Sequence, residues 1–219
     1  MTKKTTKEQK KYVSPTIYWA LRPFLKFIFY FFFQPRVKGK ENIPKEGGAV
    51  LAGNHVFVLD PFCVGSGTRR CVHFLAKYEL FKYKFTNYIF TKAGVIPVHR
   101  QRKDRAALDA AEDYLKAGAL IALFPETTII KPEGVRILPF KMGAIKMAYD
   151  TGVPIVPFTV NGKYIPIFGK IEIIFHEPYY VESDDLEAER EKLVQKVCAG
   201  LNPPLKPEER IVSFDDMKW

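Results

Sequence analysis

The sequence predicts an α/β fold: a single domain with a mixed, largely parallel sheet flanked by helices, preceded by an aromatic, amphipathic helical segment that binds a membrane surface. Three observations predict it. From residue 49 onward, short apolar runs alternate with amphipathic stretches, the pattern of strands and the helices that cover them. With 219 residues, 47% of them hydrophobic, the chain can build one large core and is too short for two domains of ordinary size. Residues 1–40 hold ten Lys/Arg, one acid (Glu8) and ten aromatics, whereas the rest holds 24 basic against 23 acidic residues, so the formal charge of +10 is concentrated at the start. We therefore divide the chain into a membrane-associating segment, 1–36, and a domain, 37–219.

In the first segment, 17–33 is apolar but shorter than the roughly 20 residues needed to cross a bilayer. It is also interrupted by Arg22, Pro23 and Lys26. The expectation is an interfacial or re-entrant helix pair, with Pro23 ending or kinking the first helix and the basic side chains snorkelling to anionic headgroups. The alternative is a helix packed on the protein's own core. No small-residue cleavage site precedes Gln34-Pro35-Arg36, so the segment is expected to be retained. This places the protein as peripheral or monotopic on the cytoplasmic face of the cell membrane.

The turn-rich stretch 40–48 leads into candidate strands at 49–53, 72–76, 95–98, 119–124, 155–160 and 171–175. Candidate helices are 60–68, 104–117, 140–150 and 185–199. In the second helix Leu108, Ala111 and Leu115 share one face, as a cover on the sheet requires. Asp60 followed by Pro61 reads as a helix start, with the carboxylate as N-cap. Cys63, Cys71 and Cys198 have no metal-ligand spacing, so no metal and no cofactor are expected. Beyond the first forty residues the charge is nearly balanced and no reading motif is present, so nucleic acid is not an expected partner.

The segment Gly53-Asn54-His55-Val56-Phe57-Val58-Leu59-Asp60 places an imidazole and a carboxylate where a strand turns into a helix. On one continuous helix five residues would separate the side chains around the axis, so contact between them needs a bend. An imidazole with an intrinsic pKa of about 6.5 suits proton removal from an alcohol near neutral pH. Alone, the pair also fits a histidine satisfied in a turn and a plain helix cap.

Three further blocks follow in order: Val95-Ile96-Pro97-Val98-His99-Arg100, then Phe124-Pro125-Glu126-Thr127, then Val153-Pro154-Ile155-Val156-Pro157. Together with Phe140-Lys141-Met142-Gly143 they make the chain resemble the glycerolipid acyltransferase family from about Val37 to Gly162. The resemblance implies a fold of the glycerol-3-phosphate acyltransferase type. It also implies His55 as general base, oriented by Asp60, with Asn54 in support behind them. By the same resemblance Arg100 binds the acceptor's phosphate, with Lys141 and Arg136 as further phosphate candidates, and Pro125, Glu126 and Thr127 form the acceptor pocket. The implied reaction moves a fatty acyl group from acyl-CoA or acyl carrier protein to the sn-2 hydroxyl of a lysophospholipid, lysophosphatidic acid first. A different acceptor, glycerol 3-phosphate among them, and a non-catalytic lipid-binding role are the rival readings. The departures are Thr127, where the family pattern has glycine, Ile129-Ile130, where it has Arg-Ser, and Phe57, where serine is frequent. The apolar block at Val153–Pro157 is expected to scaffold an acyl-chain pocket.

Overall fold

An apolar run without polar alternation has to be covered on both faces, and Ala49–Gly53 (β2) meets that condition. In the computed structural model, which describes residues 16–99, 104–167 and 169–206, all five of its residues are buried. In chain order the elements are α1 (Thr16–Phe33), β1 (Arg36–Lys38), β2, α2 (Asp60–Ser66), β3 (Val72–Lys77) and α3 (Lys84–Lys92). They continue with β4 (Ile96–Val98), α4 (Arg105–Lys116), β5 (Leu120–Leu123), α5 (Gly143–Thr151), β6 (Ile155–Asn161), β7 (Glu172–Phe175) and α6 (Leu186–Ala199). The strands form one seven-stranded sheet in the order β1-β7-β6-β2-β5-β3-β4, parallel at every pairing except β6 with β7. A mixed, mostly parallel sheet flanked by helices is therefore what the alternating sequence builds.

The two faces divide the core. Val50, Ala52, Ile121 and Leu123 pack with Ala111 and Leu115 of α4, Ile145 of α5 and Leu193 of α6. Ala49, Leu51, Leu120, Ala122 and Phe158 face the other way and pack with Phe29 of α1 and Cys63 and Val64 of α2. Capping agrees with the chemistry of the sequence: Asp104 and Asp185 accept from the backbone N–H groups of Ala107 (3.2 Å) and Ala188 (3.1 Å) at the starts of α4 and α6. Arg70 ties three turns together at the opposite edge from the β-strand C-termini, donating to Pro44 O (2.7 Å), Gly47 O (2.6 Å) and Gly118 O.

Two expectations are corrected. Among the described residues, Thr16–Phe33 is one helix, α1, that runs through Pro23 rather than ending there. Proline removes one amide from the helix ladder, and next to it Arg22 donates to Arg69 O (2.8 Å) and Thr68 O, fixing that turn onto the domain. The arginine read as a headgroup ligand is thus a tether to backbone carbonyls. The helix packs on the domain along one side and leaves the other exposed. Phe29 is buried against Phe33, Phe62 and Tyr164, whereas Phe24, Phe27 and Phe31 on the other side are exposed. Among the described residues no helix is long and apolar enough to cross a membrane. The second correction concerns Val153–Pro157: Ile155, Val156 and Pro157 are fully packed in β6, next to the central strand β2, and do not line the apolar cavity described below.

The sheet has an apolar cavity of about 450 Å³ elsewhere, between α1, α2, β3 and α3. Phe29, Leu59, Phe62, Phe74, Ile89 and Phe90 are among the residues that line it. β1 and α3 escape a sequence reading because the first has only three residues and the second has none buried, so neither shows a buried stripe.

Gly53, the last residue of β2, is required by close approach: a Cβ there would lie 2.0 Å from Phe158 O and 2.4 Å from the Phe158 ring. Gly53→Ala is expected to destabilise the fold by about 2 kcal/mol or more, from displaced core packing. In thermal unfolding this appears as a fall in Tm of about 4–8 °C.

Candidate active site

The parallel strands β2, β3, β4 and β5 end at one edge of the sheet, where open α/β folds bind ligands. β2 delivers Asn54 and His55 to this edge. Asn54 is fully buried and extends the ladder with its side chain: Val160 N–H donates to Oδ1 (2.7 Å) and Nδ2 donates to Val160 O (2.9 Å). That pairing to β6 fixes where the chain turns. The bend places His55 Nδ1 2.6 Å from Asp60 Oδ2.

Asp60 does not cap α2. The N-cap position is Leu59, with no side-chain bond, and the Asp60 carboxylate is turned back into the loop. Its Oδ2 accepts from the backbone N–H groups of Val56 (2.7 Å) and Phe57 (2.9 Å) as well as from His55. Its Oδ1 accepts from the Tyr164 hydroxyl (2.7 Å). A carboxylate at 0% exposure is stable only with such donors around it. Since Oδ2 acts as acceptor, Nδ1 of His55 carries the proton in this pairing, and the lone pair is on Nε2. The imidazole is 12% exposed, and Phe124 stacks on it with ring centroids 4.0 Å apart and planes at 13°. The result is a histidine held in plane and in tautomer.

Glu126 holds the same residue by its backbone. It is 0% exposed, and its Oε1 accepts from His55 N (2.5 Å) while Oε2 accepts from Leu138 N (2.6 Å) and pairs with Lys131 Nζ (2.7 Å). Burial pushes its carboxyl above the usual range, and Lys131 and the two N–H donors oppose that rise. Glu126 thus braces the loop that presents His55.

Thr127 follows with φ of +62°, the left-handed conformation that favours glycine. The backbone keeps the shape of a glycine turn although the residue is threonine. Pro125 O accepts from Lys141 N (3.1 Å), which joins the acceptor block to the start of α5. The Arg136 guanidinium donates to Pro203 O (2.6 Å), so the cation beside Glu126 is Lys131, a residue the sequence reading passed over. Arg100 lies outside the described residues.

Tyr164 was also missed. It comes 104 residues after its partner Asp60, and no spacing rule connects them. Its ring stacks on Phe57 (5.0 Å) and meets Phe33 of α1 edge-on (5.6 Å). Burial and the adjacent Asp60 push its hydroxyl well up, so it stays protonated and donates. Cys63, with Sγ 3.2 Å from that hydroxyl, is pushed up to about 12 by burial and stays a thiol. The other three histidines have structural partners: His73 Nδ1 bonds Gly94 O (2.9 Å), with a pKa lowered to about 4 by burial, His176 Nε2 bonds Thr159 Oγ1 (2.8 Å), and the His99 ring packs on Tyr78 with centroids 4.1 Å apart. Among the described residues no group of His, Cys, Asp and Glu is placed to hold a metal ion.

The site thus joins a strand-end histidine, oriented by a buried aspartate, to an apolar cavity walled in part by the helix that begins at that aspartate. Residues 34–161 match the acyltransferase family model, and the chain belongs to that family. It is 38% identical over 127 residues to the 1-acyl-sn-glycerol-3-phosphate acyltransferase of Borreliella burgdorferi, covering 57% of this chain and 50% of that protein. The 1-acyl-sn-glycerol-3-phosphate acyltransferase of Bacillus subtilis is 27% identical over 179 residues, covering 80% of this chain and 87% of that one. The chain therefore spans about half the length of the Borreliella relative and most of the Bacillus one. Among solved structures, the 1-acyl-sn-glycerophosphate (LPA) acyltransferase PlsC of Thermotoga maritima superposes with a TM-score of 0.67 at 29% identity, over 84% of this chain and 77% of that one.

Lys131→Met tests the bracing of Glu126. Because burial raises the folded-state pKa of Glu126 above its unfolded value of about 4.3, the native state binds more protons and stability falls as pH rises through the folded value. Removing the opposing lysine extends that loss to higher pH. Urea unfolding is expected to show a loss of about 3 kcal/mol near pH 8 and a clearly smaller one near pH 5.

Proposed function

We propose that the protein is an O-acyltransferase that moves a fatty acyl group from a thioester, acyl-CoA or acyl carrier protein, to the free sn-2 hydroxyl of lysophosphatidic acid, giving phosphatidic acid. The observation that carries this is the His55–Asp60 geometry, with Nδ1 bound to a buried carboxylate and Nε2 left as base. In the step, Nε2 takes the proton of the acceptor hydroxyl as its oxygen attacks the thioester carbonyl. The tetrahedral intermediate collapses with cleavage of the C–S bond, and His55 gives the proton to the departing thiolate, releasing the free thiol. Asp60 orients the imidazole and stabilises the imidazolium. Tyr164 keeps Asp60 in place without touching the substrate.

The apolar cavity supports the substrate class. Leu59 and Phe62, one residue before and two after Asp60, contribute to its wall, so a chain lodged there ends near the imidazole. For the acceptor's phosphate we assign Arg100, two residues beyond the end of β4, which ends at the same sheet edge as β2. A guanidinium can meet phosphate oxygens with two parallel hydrogen bonds. Lys141 is the second candidate. The site works at a membrane surface, peripherally, with the exposed aromatics of α1 against lipid.

His55→Ala is expected to lower kcat by a factor of about 10²–10⁴ while the thermal unfolding curve stays in place; near-wild-type turnover by a folded variant would remove the general-base role. Tyr164→Phe keeps the ring packing and should lower kcat about tenfold, or ~1.4 kcal/mol, with KM unchanged. The acceptor is settled by a panel of lysophosphatidic acid, glycerol 3-phosphate and neutral lysolipids presented with labelled acyl-CoA. Arg100→Ala should raise KM for the phosphate-bearing acceptor alone, and an equal rise for neutral acceptors contradicts the assignment.

A further inference from the structure

Helix α3 and the residues leading into it carry a surface that the catalytic scheme does not use. Tyr83 and Phe85 are each 74% exposed and Tyr88 is 60% exposed, with Lys82 and Lys84 exposed beside them. The chain around them is one-sided in charge: residues 80–103 contain six Lys/Arg and no Asp or Glu. Three large exposed rings within six positions make a patch that water does not favour. Tyrosine and phenylalanine flanked by lysine form the side-chain set of a bilayer interface, with apolar bodies for the acyl boundary and cations for anionic headgroups.

The place of α3 in the fold sharpens this. It touches α1, whose outer residues Phe24, Phe27 and Phe31 are also exposed. The inward residues of both helices, Phe29 and Tyr30 on α1 and Ile89 and Phe90 on α3, line the same apolar cavity. Two aromatic, basic helices therefore wall the cavity from adjoining positions.

We propose that α3, through Tyr83, Phe85 and Tyr88 with Lys82 and Lys84, is a second element seating the protein on an anionic bilayer, so that the cavity is entered from lipid between two membrane-contacting helices. The occupant is a lipid surface rather than a protein because the charge is uniformly positive and the rings are amphipathic or apolar with no acidic partner among them. The inference rests on the lipid-acyltransfer reading for what the bilayer would deliver, but its binding test does not depend on that reading.

The test uses the full chain with Tyr83→Ser, Phe85→Ser and Tyr88→Ser combined. Partition onto sedimented vesicles of phosphatidylcholine with phosphatidylglycerol is expected to fall about tenfold or more against the unsubstituted chain, and Lys82→Gln with Lys84→Gln should weaken the preference for phosphatidylglycerol at low salt, a difference that closes as salt is raised. Transfer to a short-chain, water-soluble lysolipid without vesicles should be unchanged, which separates lost docking from lost folding. An independent reading comes from Tyr88→Cys carrying an environment-sensitive fluorophore, selective because Cys63, Cys71 and Cys198 are buried. A blue shift on anionic vesicles supports the proposal. Unchanged partition together with an unshifted probe overturns it, as does a fall in oligomeric state of the triple variant at constant vesicle binding, which would assign the patch to a second copy. If no acceptor is acylated by either protein, the acyltransfer reading fails while the partition result still decides this one.

Discussion

A carboxylate taken out of water costs several kcal/mol unless donors replace its hydration, and that requirement at Asp60 organises the site. Four donors converge on it: two backbone amides from its own loop, the imidazole of His55 and the hydroxyl of Tyr164. Each donor arrives from a different constraint. The amides need the loop to curl back, the imidazole needs β2 to end at Gly53, and the phenol needs the chain after β6 to fold over α2. A loop that satisfied fewer of them would leave buried charge uncompensated, so the turn geometry and the histidine's tautomer are set together.

A second buried carboxylate works differently. Glu126 takes hold of the peptide of His55, not its ring, and of Leu138 in the loop after β5, with Lys131 as counter-ion. One acid aims the imidazole and the other anchors the backbone that carries it. Both lie at the ends of adjacent parallel strands, β2 and β5, and their register brings the two segments side by side. The electrostatic logic of the site is thus a product of sheet topology, and the aromatic stack of Phe124 on His55 follows from the same adjacency.

What was legible in the sequence was local. The apolar runs named six strands of the sheet within a residue or two, because buried parallel strands are continuous in sequence. The His-x4-Asp spacing named the pair, because a strand-to-helix turn is short enough for five residues to close. The role of Asp60 was misread as a cap because Asp before Pro at a helix start has that local meaning, and the competing donors Val56 and Phe57 become visible only when the loop has bent. Tyr164 and Lys131 were hidden for another reason: a tyrosine and a lysine in loops carry no pattern, and while Lys131 meets Glu126 within one loop, Tyr164 reaches Asp60 only through the crossovers between them. α1 was read as lipid-facing or core-facing, and a helix with aromatics all round supports both.

Thr127 carries a further consequence. Its left-handed backbone costs a β-branched residue on the order of 1–2 kcal/mol that glycine would not incur, and the turn is kept nonetheless, secured by the bond from Thr127 N to Phe124 O (3.0 Å) and by the contacts of the two residues before it, Glu126 with His55 N and the Pro125 carbonyl with Lys141 N. The shape of this corner is therefore dictated by its neighbours and not by the residue occupying it. A side chain can be exchanged there without redrawing the main chain, so the position varies independently of the histidine and the two acids that hold it.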